Sequence, residues 1–104
     1  GTMANLVATM SHCHPRASEM IIGSKSHLCL WEGGNMANLA GVSKREVREN
    51  EEDGTMDVQE IRDCIVSGDD DHHPTTRVLC LENTHNALGG IALSPSYIHS
   101  MVRL

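Results

Sequence analysis

Three short apolar runs, separated by segments with helical spacing, constrain the fold of this chain more than any other feature. The run Glu19–Gly23 (EMIIG) predicts a buried strand that ends at a glycine, and Val42–Val47 predicts a second strand. Thr76–Leu81 (TRVLCL) is the clearest of the three and predicts a strand that is buried on both faces. Because strands that alternate with helices form a mainly parallel sheet with helices on its faces, the sequence predicts an α/β fold.

Four segments with helical character lie between and beside these strands. They are Thr2–Ser11, Leu28–Ala40, Asp57–Val66 and a final segment that Ser94–Pro95 opens, with proline at the first helical position. Gly33 and Gly34 interrupt the second of these helices. In a sheet of this kind ligands bind beyond the carboxyl ends of the strands, so the residues that follow each strand are the candidates for a site.

The composition limits both the core and the partners. A length of 104 residues corresponds to one domain, and an aromatic content of 2% predicts a core of aliphatic and methionine side chains. The formal net charge of −6 argues against nucleic acid or an anionic membrane surface as a partner. The acidic clusters Glu46–Asp53 and Asp69–Asp71 predict solvated loops, because their spacing matches no calcium-binding loop. No apolar stretch approaches the ~20 residues that a membrane-spanning helix needs.

Cysteine usage predicts free thiols in an intracellular, cytoplasmic protein. The four cysteines are irregularly spaced and form no C-x-x-C pair, although two disulfides are possible by number. His12–Cys13–His14 and His72–His73 contain residue types that bind zinc, but the spacing of a closed zinc site is missing. We therefore predict solvated histidines and no metal site.

Gly1–Thr2–Met3 stands at a predicted helix start and is a candidate anion site. The first backbone N–H groups of a helix are unpaired, glycine permits close approach of a phosphate, and the threonine hydroxyl adds a donor. The ordinary alternative is that Thr2 is an N-cap residue. The glycine spacings of Walker and Rossmann phosphate-binding loops are absent.

Two histidines follow predicted strands and are candidates for chemistry. His27 comes after Glu19–Gly23 and a turn, where an imidazole could stack on an aromatic cofactor or exchange a proton. The alternative is a surface histidine near a helix start. His85 lies in Glu82–Asn86 (ENTHN), directly after Thr76–Leu81, and could bond a substrate hydroxyl or act as a general acid or base. The alternative here is a polar turn.

Four segments of the chain together resemble one known family. GTMANLVATMSHC resembles the GTMAN segment of threonine aldolases, and SKSHLCLWEGGNMANLAGV resembles their strand–histidine–helix segment. DGTMDVQEI and TTRVLCLENTHNALGG resemble their DGT and ENTHN segments, in the family's order. The chain is thus similar to the threonine aldolase family, of the β-eliminating lyase type, over nearly its whole length.

The resemblance implies a fold, a cofactor and a reaction. Family members bind pyridoxal 5′-phosphate (PLP) on the large domain of the aspartate aminotransferase fold (fold type I), so residues 1–104 would be part of that domain, truncated at both ends. They cleave 3-hydroxy amino acids such as L-threonine or L-allo-threonine to glycine and acetaldehyde, in threonine catabolism and glycine biosynthesis, with PLP as the electron sink. They are usually homotetramers, which implies self-association of the whole protein.

Residue roles carry over from the family onto the matching motifs. Gly1 and Thr2 would bind the phosphate of PLP, with Met3 contributing its backbone, and His27 would stack on the pyridine ring. His85 would lie near the 3-hydroxyl of the substrate, with His27 also close. Supporting positions follow from the same motifs: Trp31 and Glu32 as substrate or subunit contacts, and Asn5, Glu82, Asn83 and Asn86 as residues that brace the site.

The chain also departs from the family pattern. Lys25 and Lys44 are its lysines, and neither stands in the Ser-Lys context of the lysine that forms the Schiff base with PLP. The family's Asp-Gly-Ala-Arg segment is absent, and Ile91 replaces the arginine that usually follows Gly-Gly. Three interpretations stay open: a fragment of an active aldolase, a catalytically inactive remnant, or a small α/β binding protein with a different function.

Overall fold

A three-stranded parallel sheet forms the centre of the protein. The computed structural model describes residues 1–14 and 16–104. The strands are β1 (Ser18–Gly23), β2 (Ser43–Val47) and β3 (Thr75–Cys80), and they lie side by side in the order β2-β1-β3. The register places Met20 of β1 opposite Lys44 of β2 and Val78 of β3. The predicted α/β fold with a parallel sheet is confirmed.

Five helices flank the sheet in the described residues. They are α1 (Thr2–His12), α2 (His27–Leu30), α3 (Asn35–Asn38), α4 (Val58–Cys64) and α5 (Pro95–Met101), and a 3-10 turn covers Asn86–Leu88. The sequence predicted one interrupted helix over 28–40, whereas the structure has α2 and α3 as separate short helices. Gly33 and Gly34 both adopt left-handed φ angles, +62° and +72°, which a right-handed helix cannot contain.

The side chains of β1 divide between two cores, one on each face of the sheet. Met20 and Ile22 belong to a cluster with Leu6 of α1, whereas Ile21 belongs to a second cluster with Ile61 of α4. Successive side chains of a strand point to opposite faces, so one strand supplies both clusters. Both cores consist mainly of aliphatic, methionine and cysteine side chains, as the low aromatic content predicts, and Tyr97 packs against the second core.

The strand that is buried on both faces is β1 and not β3. Every residue of β1 is buried, whereas β3 lies at one edge of the sheet with partly exposed residues and an exposed Arg77. The prediction for Thr76–Leu81 was wrong on this point, because the burial of a strand depends on which strands and helices cover it. The central position of β1 also buries Glu19, whose carboxylate is bonded by the Arg45 guanidinium at 2.9 and 3.2 Å.

Two further expectations concern the cysteines and the membrane. Cys13, Cys29, Cys64 and Cys80 are all free, as their spacing predicts. Within the described part of the chain, no helix is both long enough and apolar enough to cross a membrane.

Candidate active site at the carboxyl edge of the sheet

A pocket of about 230 Å³ opens where β1 and β3 end. Its walls come from α1, from the turn after β1 and from the segment after β3. The lining residues are Asn5, Ile22, Ser26, His27, Leu28, Cys80, Leu81, Glu82 and Asn83. This is the edge of a parallel sheet at which ligands bind, so the pocket is the candidate active site.

Ser26 fixes the position of His27 at the pocket. The Ser26 hydroxyl donates to the carbonyl of Gly23 at 2.7 Å and accepts from the amide of Cys29 at 3.3 Å. Serine is a favoured N-cap residue, and Ser26 caps the start of α2 directly after the turn that follows β1. His27 is therefore the first residue of α2, and 49% of its side-chain surface is exposed. A ligand in the pocket can contact its ring.

Glu32 lies buried beside His27. Its Oε1 accepts a hydrogen bond from Asn5 Nδ2 at 2.7 Å and lies 3.9 Å from His27 Nε2. Its Oε2 has no hydrogen-bond partner among residues 1–14 and 16–104. The structure thus brings together Asn5, His27 and Glu32, three residues that the motifs singled out. Trp31, by contrast, is 70% exposed and lies outside this group.

Glu82 connects the two segments that carry the candidate histidines. Its Oε2 accepts from the backbone N–H of His27 at 2.5 Å, and its Oε1 accepts from the backbone N–H of Asn86 at 2.8 Å. One carboxylate therefore sets the backbone of His27 relative to the loop that contains His85. The bracing role that the family motif implies for Glu82 stays a prediction.

His85 does not line the pocket. Its ring is buried, with 1% of the residue exposed, and its Nε2 lies 3.0 Å from Oε1 of Glu49. The backbone is also fixed, since His85 N–H donates to the Ile91 carbonyl and Gly90 N–H donates to the His85 carbonyl. Its Nδ1 has no hydrogen-bond partner in the described part of the chain. The structure therefore separates His85 from the pocket that contains His27.

Glu49 is the buried partner of His85, and no sequence pattern pointed to it. The acidic run Glu46–Asp53 predicted a solvated loop, and this was wrong in part: Glu46 belongs to β2 and Glu49 is 3% exposed. The second oxygen of Glu49, Oε2, accepts from the Ser24 hydroxyl at 3.1 Å and from the Lys25 amide at 3.0 Å. Ser24 and Lys25 lie 25 and 24 residues from Glu49 in the sequence. A run of acidic residues therefore does not indicate which of its side chains is buried.

The start of α1 holds Gly1–Thr2–Met3, the candidate anion site of the sequence analysis. Gly1 is the N-cap residue and Thr2 is the first helical residue, so the alternative that Thr2 is an N-cap is wrong. Gly1, Thr2 and Met3 are exposed, and Asn5 in the next turn lines the pocket. A Cβ on Gly1 would meet no atom within 4 Å. The first N–H groups of a helix have no acceptor within it, so the backbone at this exposed end can donate to a ligand.

Among the described residues that line the pocket there is no lysine. Lys25 forms an ion pair with Glu51, and Lys44 forms an ion pair with Glu46 at 2.8 Å. Cys80 does line the pocket, but burial raises the pKa of its thiol to about 11. Because the thiolate is the reactive form, Cys80 is a neutral, unreactive thiol near pH 7.

The remaining candidates lie away from the pocket. Among the residues that the structure describes, no group of three or more His, Cys, Asp or Glu side chains is arranged to hold a metal ion. His72 is exposed and bonds Asp70 at 2.7 Å, and the loop Asp69–Asp71 is exposed, as predicted.

The fold and the pocket together define an α/β protein with a candidate ligand site at the carboxyl edge of a parallel sheet. A family model described as beta-eliminating lyase matches residues 1–104. The chain belongs to this beta-eliminating lyase family.

Named relatives narrow the comparison within the family. The chain is 44% identical to "Probable low-specificity L-threonine aldolase 2" of Arabidopsis thaliana, over 100% of this chain and 29% of that protein. It is 44% identical to low-specificity L-threonine aldolase 1 of the same plant, over 93% of this chain and 27% of that protein. It is 40% identical to the low specificity L-threonine aldolase of Escherichia coli strain K12, over 83% of this chain and 25% of that protein. The resemblance to threonine aldolases is confirmed, and the chain spans less than a third of the length of these relatives.

Proposed function

We propose that this chain is part of a PLP-dependent lyase that cleaves 3-hydroxy amino acids, such as L-threonine and L-allo-threonine, to glycine and an aldehyde. The observation that carries the proposal is the grouping of Asn5, His27, Glu32 and Glu82 at one edge of the sheet. Each of these residues lies in a segment that resembles threonine aldolases. The names of the relatives support the substrate class.

The residues at this edge fit two parts of PLP. Gly1 and Thr2 would hold the phosphate at the open start of α1, with the Met3 backbone beside them, and the exposed ring of His27 would stack on the pyridine. When bound, PLP supplies an electron sink for the carbanion that carbon–carbon cleavage leaves. Because Lys25 and Lys44 are paired elsewhere, we place the lysine that binds the cofactor outside these 104 residues.

The remaining roles follow from the contacts within the chain. Glu32, held by Asn5, limits the positions that the His27 ring can take, and Glu82 fixes the His27 backbone. His85 would contact the 3-hydroxyl of the substrate. The exposed Trp31 would contact another subunit, because we expect the whole protein to assemble as a homotetramer.

The test is cofactor binding and aldehyde release by the full-length protein. We expect it to bind PLP and to release acetaldehyde from L-threonine or L-allo-threonine. Replacing His27 by alanine should weaken PLP binding roughly threefold to tenfold, since one stacking contact is lost. PLP binding is measured by the absorbance of the bound cofactor, and cleavage by an aldehyde-coupled assay.

His73→Ala is the matched control, because His73 is an exposed histidine in the loop before β3. It should bind PLP as the wild type does. A full-length protein that binds no PLP, or that binds PLP and releases no aldehyde, would favour the interpretation as an inactive remnant.

A further inference from the structure

Glu49 and His85 form a buried carboxylate–imidazole pair that the family motifs do not account for. Glu49 Oε1 and His85 Nε2 are 3.0 Å apart, and the two residues are 3% and 1% exposed. They are 36 positions apart in the chain. The pair joins the segment after β2 to the loop after β3.

The surroundings of Glu49 are built to receive its carboxylate. Oε2 accepts from the Ser24 hydroxyl and the Lys25 amide, which leaves Oε1 for the ring of His85. The last residue of β1 is Gly23, and a Cβ at that position would stand 1.8 Å from Oε1 of Glu49. A side chain larger than hydrogen at the end of β1 would displace the carboxylate from His85.

This arrangement determines which nitrogen of His85 carries a hydrogen. A carboxylate only accepts hydrogen bonds, so the Nε2 that faces Glu49 is the nitrogen with the hydrogen. In the neutral ring the other nitrogen, Nδ1, is then a bare acceptor, and it is buried without a partner in residues 1–14 and 16–104. A buried acceptor without a donor is unfavourable, so a hydroxyl that reaches Nδ1 would supply the missing hydrogen bond.

We propose that Glu49 is a positioning residue for His85. It fixes the orientation and tautomer of the ring so that Nδ1 accepts a hydrogen bond from the hydroxyl of a 3-hydroxy amino acid. A carboxylate on one nitrogen and a reacting hydroxyl on the other is the arrangement of Ser-His-Asp triads. The identity of the hydroxyl rests on the proposed function, whereas the tautomer does not. Since the ring is buried, its exposed neighbours Thr84 and Asn86 would move to admit the substrate.

Glu49→Gln tests the proposal with almost no change in side-chain volume. The Lys25 amide can only donate, so the glutamine oxygen stays on that side and its NH₂ group faces His85 Nε2. The hydrogen of the ring then moves to Nδ1, which can no longer accept from the substrate. In the full-length protein we expect kcat for L-threonine to fall on the order of 10²-fold, with a much smaller change in KM. Glu52→Gln, an exposed glutamate in the same acidic run, should leave kcat unchanged.

The tautomer provides a readout that does not depend on activity. Solid-state NMR of the cofactor-free full-length protein, with ¹⁵N-labelled histidine, distinguishes protonated from bare ring nitrogens; His85→Asn identifies the signals. We expect a protonated Nε2 and a bare Nδ1 in the wild type, and the reverse in Glu49→Gln. A wild-type ring with a bare Nε2, or with both nitrogens protonated at pH 8, would overturn the proposal, even if Glu49→Gln fails to fold.

The two proposals fail in different ways. If Glu49→Gln keeps the wild-type kcat while His85→Asn loses activity, Glu49 is not a positioning residue and the aldolase proposal stands. If the wild type cleaves no 3-hydroxy amino acid, the aldolase proposal fails and so does the assignment of the hydroxyl. The NMR signals of His85 still decide whether Glu49 sets its tautomer.

Discussion

Three buried carboxylates in this chain accept hydrogen bonds from donors of different kinds. Glu19 is bonded by the Arg45 guanidinium, which makes an ion pair across two strands. Glu32 is bonded by the neutral amide of Asn5, and Glu49 by a hydroxyl, a backbone amide and an imidazole. Since an unpaired buried charge is strongly unfavourable, these donors keep the three residues folded inward. Glu32 lies beside His27 at the candidate site, whereas Glu49 lies beside the buried His85.

The buried thiol of Cys80 should make the stability of the protein depend on pH. Burial raises the pKa of its thiol from 9.0 to about 11, so between these values the unfolded chain loses a proton that the folded chain retains. The contribution of Cys80 to stability is therefore complete below pH 9 and is lost as the pH rises through 11.

Replacing Cys80 by alanine should remove that part of the pH dependence. Between pH 9 and 11 the free energy of unfolding of the wild type should fall by about 2 kcal/mol more than that of the variant. Urea unfolding at several pH values in this range measures the difference. An equal pH dependence of stability in the two proteins would show that burial does not raise the pKa of the Cys80 thiol.

Among the elements, β1 makes the largest contribution to the fold. It pairs with both other strands and supplies side chains to both hydrophobic clusters. It also ends at Gly23, where the turn to α2 begins and where the carboxylate of Glu49 is received. Disruption of β1 should therefore affect the core and the candidate site together.

Ile21→Ala tests the importance of β1. Ile21 is 1% exposed in the second cluster, so truncation leaves a cavity and should destabilise the protein by ~2–5 kcal/mol. Hydrogen exchange of the β1 amides in the full-length protein measures the loss. Val102→Ala is the control, because Val102 is 80% exposed and its truncation should change protection little. Unchanged protection of β1 in Ile21→Ala would contradict a central role for this strand.

At the scale of the whole molecule, the chain exposes apolar surface and two sheet edges. β2 and β3 each lie at an edge of the sheet, and Met3, Val7 and Met10 form an exposed apolar stripe on α1. Unpaired strand edges and apolar stripes both favour association with other chains. The 104-residue chain by itself should therefore self-associate.

Light scattering of the 104-residue chain tests this expectation. Val7→Glu combined with Met10→Lys should reduce the apparent molecular mass, because it removes most of the stripe while keeping residues that favour a helix. Val102 is an exposed residue directly after α5, and Val102→Glu should reduce the apparent molecular mass less. A monodisperse monomer at high concentration before any substitution would show that the exposed surface does not drive association.

The sequence by itself determined the features that depend on neighbouring residues. The three strands, the capping of α5 by Ser94 with Pro95 in its first turn, and the free cysteines were all predictable. Apolar runs, caps and turn residues act within a few positions of the chain, so their effect can be read from the order of residues. The family motifs likewise singled out Asn5 and Glu32, which stand in two different motif segments and are hydrogen-bonded in the fold.

The tertiary structure alone decided the features that depend on distant contacts. It made β1 the central strand, separated α2 from α3 at two left-handed glycines, and buried Glu49 against His85. The hydrogen-bond partners of Glu49 lie 24 to 36 positions away in the sequence. A local sequence pattern does not specify which distant residues will be in contact. Burial and hydrogen bonding at the candidate site follow from the packing of the sheet, because only the assembled strands bring these donors and acceptors within bonding distance.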